Sequence, residues 1–274
     1  MKFILIQCFL FSSFTLAFAQ VKFESGENTE EVTREKFFTI GIGSSYQTRK
    51  DNLFSPLNYS GMGAQLHING EWISDRWYKR LDTYGGIYDV QSRAVDGYNQ
   101  GAYAFKYNVS YSMARRIRPQ ETRFKWYVGG AFAHEADMSF LPGNINNKFS
   151  YNAPTGFSAT TYIMKDVRFL KKNWILSSRL SIPILVYNAR PDNIGFVSVE
   201  NLTKEYGIMS LNKLLKIDWR WQADLPMSNG NRLRFAYLWS YVDDRHIGRL
   251  QSGSQSLLFE LMVNLPYRKK IEKN

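Results

Sequence analysis

The sequence has one cysteine among its 274 residues, Cys8, and it lies inside the apolar N-terminal stretch MKFILIQCFLFSSFTLAFAQ. That stretch carries Lys2 and ends in Ala17-Phe18-Ala19, the pattern of a secretory leader with a small-residue cleavage site, so residues 1–19 are expected to be a signal peptide. No Leu-small-small sequence precedes Cys8, as a lipid-accepting cysteine would need. Once the leader is removed there is no thiol, which excludes disulfides, thiolate zinc sites and cysteine nucleophiles. Histidine is scarce as well: His67, His134 and His246 are too far apart for an H-x-x-x-H metal motif. Helical periodicity is nearly absent and no Pro/Gly-rich linker divides the chain, so the remaining ~250 residues read as one domain.

What the sequence does have is aromatic residues, 16% of the chain, together with a mildly negative mean hydropathy. In YAFKYNVSYSM, residues 103 to 113, every odd position is aromatic or apolar and every even one is Ala, Lys, Asn or Ser. Such alternation recurs over about ten stretches, at 36–48, 62–72, 81–93, 102–114, 123–136, 155–166, 174–188, 214–225, 232–242 and 255–266. A soluble barrel or sandwich would show the same alternation with its apolar face inward. So many rings do not fit inside a narrow ten-stranded barrel, and they must face outward. Outward-facing rings call for lipid, where every backbone group has to be paired, and a closed sheet pairs them all.

The expected fold is therefore all-β: a closed antiparallel transmembrane β-barrel of about ten strands over 36–267, or twelve if part of 194–210 forms a further hairpin. Residues 20–35 would precede it in the periplasm and a basic tail, 268–274, would follow it. Outer loops are expected at 49–61, 94–101, 137–154, 189–213 and 243–254, with inner turns at 73–80, 115–122, 167–173 and 226–231. The barrel pattern as a whole resembles small outer-membrane barrels, and SPLNYSG, Ser55 to Gly61, is similar to barrels of the Bacteroidota. That resemblance implies a location in the bacterial outer membrane and no particular chemistry.

A net charge of +11 would suit nucleic acid, but an exported barrel seldom meets it, and no nucleic-acid partner is expected. The cations gather instead at the expected periplasmic ends: Arg76, Lys79 and Arg80; Arg115, Arg116 and Arg118; Arg168, Lys171 and Lys172; Arg268, Lys269, Lys270 and Lys273. There they would meet lipid headgroups, keep the turns soluble, or face an acidic partner. On the lumen face Lys216, Asp218, Arg220 and Asp224 carry both signs and are expected to pair and fill the bore, which argues against an open porin.

Two arrangements invite a catalytic reading. In LHINGEWISDRWYKR, His67 lies as the histidine does in the active-site strand of outer-membrane phospholipase A, yet the position two residues on, where a serine nucleophile belongs, is Asn69. In YVDDRHIG, Asp244 and His246 resemble the Asp-x-His pair of the omptins, ten-stranded outer-membrane proteases; the facing acidic pair that family needs has no counterpart, since Asp82 and Asp89 are not adjacent. HEAD, His134 to Asp137, is a weak cation motif. No cofactor or metal is expected. Rings expected on the outer loops (Phe54, Tyr59, Tyr98, Phe140, Phe149, Tyr151, Phe196 and Tyr206) are candidates for binding, or for packing over the mouth of the barrel. The expected function is a binding or accessory role in an envelope complex, with outer-membrane lipid as a partner and an envelope protein as a candidate partner. A hydrolase acting through His67, or through Asp244 and His246, and a narrow channel are the alternatives.

Overall fold

The computed structural model describes residues 35–53, 55–93, 99–117, 124–142, 149–190, 206–246 and 248–265. The leader, most of the expected periplasmic segment and the basic tail lie outside these residues. Eleven strands follow in order: β1 (Glu35–Asp51), β2 (Ser55–Ile73), β3 (Trp77–Arg93), β4 (Asn99–Ile117), β5 (Lys125–Phe140), β6 (Phe149–Phe169), β7 (Lys172–Ala189), β8 (Tyr206–Met209), β9 (Leu214–Pro226), β10 (Arg232–Asp244) and β11 (Leu250–Asn264). Every pairing is antiparallel.

Neighbouring strands pair in chain order from β1 to β7 and from β9 to β11, β7 pairs with β9, and β1 pairs with β11 to seal the ring. The result is a closed ten-stranded transmembrane β-barrel. The short β8 adds no eleventh stave. It pairs with the outer end of β7 and runs in the same direction as β9, so that β8 and β9 form one stave interrupted at residues 210–213. The twelve-stranded alternative is thereby corrected; much of the stretch it rested on, up to residue 205, lies outside the described residues.

Alternation sets which face each residue takes, because successive strand side chains point to opposite sides. Outward positions are apolar and open: Ile42 is 66% exposed, Leu257 64% and Phe235 49%. Inward ones are polar and shut away, with Glu260 and Arg234 at 0%. This inversion of the soluble rule is what a bilayer demands. The periplasmic turns are tight. Leu170 and Lys171 both take positive φ (50° and 61°) to turn β6 into β7, and Gly230, at 82°, serves the turn between β9 and β10.

The outer connections differ from expectation. The strands run on past the apolar band, so β1 and β2 are joined by residues 52–54 alone and β10 and β11 by 245–249. Five of the rings expected on loops sit in strands: Tyr59 in β2, Phe140 in β5, Phe149 and Tyr151 in β6, and Tyr206 in β8.

Candidate functional site

The bore is filled in layers. At its periplasmic end Phe37, Tyr78, Tyr127, Tyr162, Met164 and Met262 form an apolar floor, in which Tyr78 stacks on Tyr162 with ring centres 4.1 Å apart. These are inward positions, so the lumen face is less uniformly polar than alternation suggested.

Above the floor lies a network of four arginines and four carboxylates drawn from six strands. Arg80 of β3 reaches Glu71 at 2.5 Å and Asp82 at 2.6 Å. Arg179 of β7 meets Asp82 at 2.5 Å, and Arg220 of β9 meets Glu260 of β11 at 2.6 Å. Arg234 of β10 bonds Asp224 at 2.6 Å and also Glu71. The charges cancel, and each carboxylate accepts from at least one guanidinium, which is the condition for holding ions away from water at tolerable cost. Arg80 is corrected here: it belongs to this layer, 1% exposed, and not to a headgroup ring. Arg76, Arg168, Lys171 and Lys172 do lie exposed at the periplasmic turns, whereas Arg118 and the tail cations fall outside the described residues.

A second network closes the outer end. Arg49 bonds Asp137 at 2.5 Å and Asp51 at 3.1 Å, Arg190 bonds Asp51 at 2.5 Å, and Asn188 donates to Asp244 at 2.8 Å. Tyr59, Tyr88, Val90, Ala102, Ala104 and Leu141 pack beside it. Between the two networks remains a cavity of about 100 Å³, lined by residues that include Lys106, Glu135, Arg179, Lys216 and Asp218. Lys216 holds Asp218 at 2.8 Å and also meets Glu135, and Ser240 donates to Asp218 at 2.7 Å.

The predicted catalytic residues do not assemble. His67 is buried in the bore, stacked on Tyr84 with centroids 5.0 Å apart; its Nε2 meets Gln65 Oε1 at 3.2 Å and its Nδ1 has no hydrogen-bond partner, so among the described residues no serine hydroxyl engages it. Asp244 accepts a bond from the backbone N–H of His246 at 2.9 Å, so it caps a turn and does not orient the ring. His246 Nδ1 has no hydrogen-bond partner, and its ring packs against Gly207 of β8. Asp82 is inward and Asp89 outward, so they cannot face each other as a pair. The HEAD residues part in the same way: His134 points outward to Tyr107 (2.8 Å) and Thr155 (2.6 Å), while Glu135 and Asp137 point inward. Among the described residues no group of three or more such side chains could hold a metal.

The proposed binding rings are likewise dispersed. Tyr59 is buried, donating to Ser55 Oγ at 3.1 Å, and Tyr151 is buried among Ala136, Ala153 and Ala189. Phe140 and Phe149 pair across β5 and β6 and stay exposed on the outward face. Tyr206 opens β8, and Phe54, Tyr98 and Phe196 lie outside the described residues. Sequence reading missed Glu71 and the cavity. Pro183, in the stretch SIPIL of β7, was the available signal that a strand is interrupted there.

No family model matches the sequence, and no curated protein does. Solved structures share the barrel at low identity. The outer membrane protease OmpT from Escherichia coli is 6% identical with a TM-score of 0.49, covering 88% of this chain and 99% of that one. For the transport unit of the autotransporter AIDA-I from the same organism the values are 8%, 0.45, 93% and 97%. For the translocator domain of the autotransporter NalP from Neisseria meningitidis they are 8%, 0.31, 96% and 98%. At such values no role passes from any of them to this chain.

Proposed function

We propose that the protein is an integral barrel of the bacterial outer membrane, exported by its leader, that works as a closed binding or accessory component of the envelope and not as a pore or a hydrolase. The observation that carries this reading is the charge-balanced layer of Arg80, Arg179, Arg220 and Arg234 with Glu71, Asp82, Asp224 and Glu260, which spans the bore. An ion crossing this layer would have to separate buried pairs, a step costing several kcal/mol for each. The outward apolar band supports the membrane setting, and the SPLNYSG likeness supports a source in the Bacteroidota.

Planar-bilayer recording tests the reading. The full mature chain should give no steady ion current, whereas removing charges from the layer, as in Arg80→Ala with Arg234→Ala, should produce one if the barrel still inserts. A wild-type current of porin size would overturn the proposal, as would ester or peptide turnover that disappears in His67→Ala or His246→Ala.

A further inference from the structure

Among the described residues the widest break in the wall lies between β7 and β9. β7 pairs with β9 as far as Ser181 opposite Asp218, and pairing resumes with β8 only at Val186 opposite Met209. Residues 182–185 of β7 and 214–217 of β9 have no ladder partner in each other. On the far side of β7 the register with β6 slips beside Phe157 and Ser158, which leaves Ile184 and Leu185 both outward, 56% and 49% exposed. Pro183 sits in the gap and has no N–H to give. The gap is level with Tyr241 and Val242 of β10, near the outer end of the apolar band.

Unpaired backbone at membrane depth is tolerated only where it is buried in protein or lines a water-filled cavity. Here the inward positions of both edges line a cavity. Ser181, Pro183 and Val186 from one edge of the gap and Leu214, Lys216 and Asp218 from the other all line the mid-bore cavity. The ion layers shut this cavity from above and below, so the side gap is its approach from the membrane.

The rim and the interior differ in character. Val186, Met209, Leu214 and Val242 form an apolar cluster at the rim. Inside, Arg179, Arg220 and Lys106 each have a carboxylate beyond the cavity, at Asp82, Glu260 and Asp137. What belongs to the cavity itself is Lys216 set between Glu135 and Asp218, two carboxylates to one ammonium. The Asp218 side chain is also its most accessible charge, 38% exposed. A cavity of about 100 Å³ admits a head group and some water but no long chain.

We propose that the break between β7 and β9 is a lateral portal through which a single-chain amphiphile of the outer leaflet places an ammonium head beside Asp218 while its chain stays in the membrane. This rests on the closed-bore reading above and supplies its ligand class.

The test uses the mature chain in bilayer nanodiscs of zwitterionic lipid, with a chain-brominated long-chain primary amine as probe and quenching of tryptophan, Trp219 and Trp239 foremost, as readout. Saturable quenching is expected, at least tenfold weaker for the fatty acid of equal length and at least tenfold weaker in Asp218→Asn, which leaves Lys216 and Glu135 balanced. Competition by the trimethylammonium analogue, compared with the primary amine, separates the two kinds of ammonium head. Because the mature chain has no cysteine, Ile182→Cys with Ile217→Cys, the next pair in register beyond Ser181 and Asp218, allows the gap to be stapled. Oxidation should abolish binding and reduction restore it. Val186→Trp, which fills the rim, should abolish it without any crosslink. Equal binding of the fatty acid, an unchanged Asp218→Asn, or undiminished binding by both the stapled barrel and Val186→Trp would overturn the portal. Bilayer current measured on the same preparations reports separately on the closed bore.

Discussion

Arg234 and Glu71, 163 residues apart, lie side by side in the ion layer above the aromatic floor, both wholly buried, with Arg234 Nη2 3.2 Å from Glu71 Oε2. Arg234→Ala should cost about 3–5 kcal/mol, because Glu71 and Asp224 would keep their charge and lose a buried partner. Arg234→Met combined with Asp224→Asn should recover much of that loss, since Glu71 keeps Arg80 while Asp224, among the described residues, has only Arg234 to pair with. Unfolding by urea in lipid vesicles, followed by heat-modifiable migration on gels, gives both values; single and double variants that fall equally would contradict pairwise compensation.

On the outward face, Val128→Lys or Phe235→Lys near mid-strand should cost roughly 2–4 kcal/mol, the penalty for a charge facing the middle of the bilayer. Gly129, one residue along and inward, fails for another reason: a Cβ there would lie 2.1 Å from the carbonyl oxygen of Met113 and 2.6 Å from Ala114 Cα. Gly129→Ala should therefore be disruptive although Ala is apolar. Equal tolerance of Ala at 129 and Lys at 128 would mean that the assignment of faces is reversed.

The aromatic floor separates packing from hydrogen bonding. The hydroxyls of Tyr78 and Tyr162 are buried without partners, so Tyr162→Phe should leave stability unchanged or slightly higher. Tyr162→Ala opens a hole beneath the ion network and should cost about 3–5 kcal/mol, as large-to-small changes do. The same unfolding assay distinguishes the two.

His67 and His246 should separate as well. His67→Ala removes a stacked ring from the bore and should lower stability by about 1–3 kcal/mol, whereas His246→Ala, at the outer turn, should change it by less than about 0.5 kcal/mol. Neither should alter the turnover of ester or peptide substrates, measured with the purified barrel.

Alternation made the strands and their faces legible, because a period of two survives wherever one side meets lipid. It gave strand ends poorly. Past the apolar band the outward positions of β1 turn polar, as at Thr48 and Lys50, yet the ladder continues to Asp51 opposite Ser55. Alternation also assigns a side but not a height: Arg80 looked like a turn cation because it closes the stretch 73–80 expected as an inner turn, while register carries it level with Glu71. Some pairs are local, Arg80 with Asp82 and Glu71 or Arg234 with Asp224, but Arg179 with Asp82, Arg220 with Glu260 and Arg234 with Glu71 join strands far apart in the chain, and only the closed ring determines that these meet. His134 shows the limit from the other side. Alternation with Trp126, Val128 and Phe132 puts it on the outward face, but nothing local marks Tyr107 and Thr155 as its partners.

The seam between β1 and β11 bears on how the barrel can be assembled. It runs unbroken from Phe37 opposite Asn264 to Asp51 opposite Leu250, so the first stave made is finished only by the last. Until β11 arrives, β1 and β10 each present a full-length naked edge, able to recruit any extended segment nearby. Insertion is thus an all-or-none act whose final stitch is the C-terminal strand, and a nascent chain stalled before it would be a template for misassembly and not a smaller barrel.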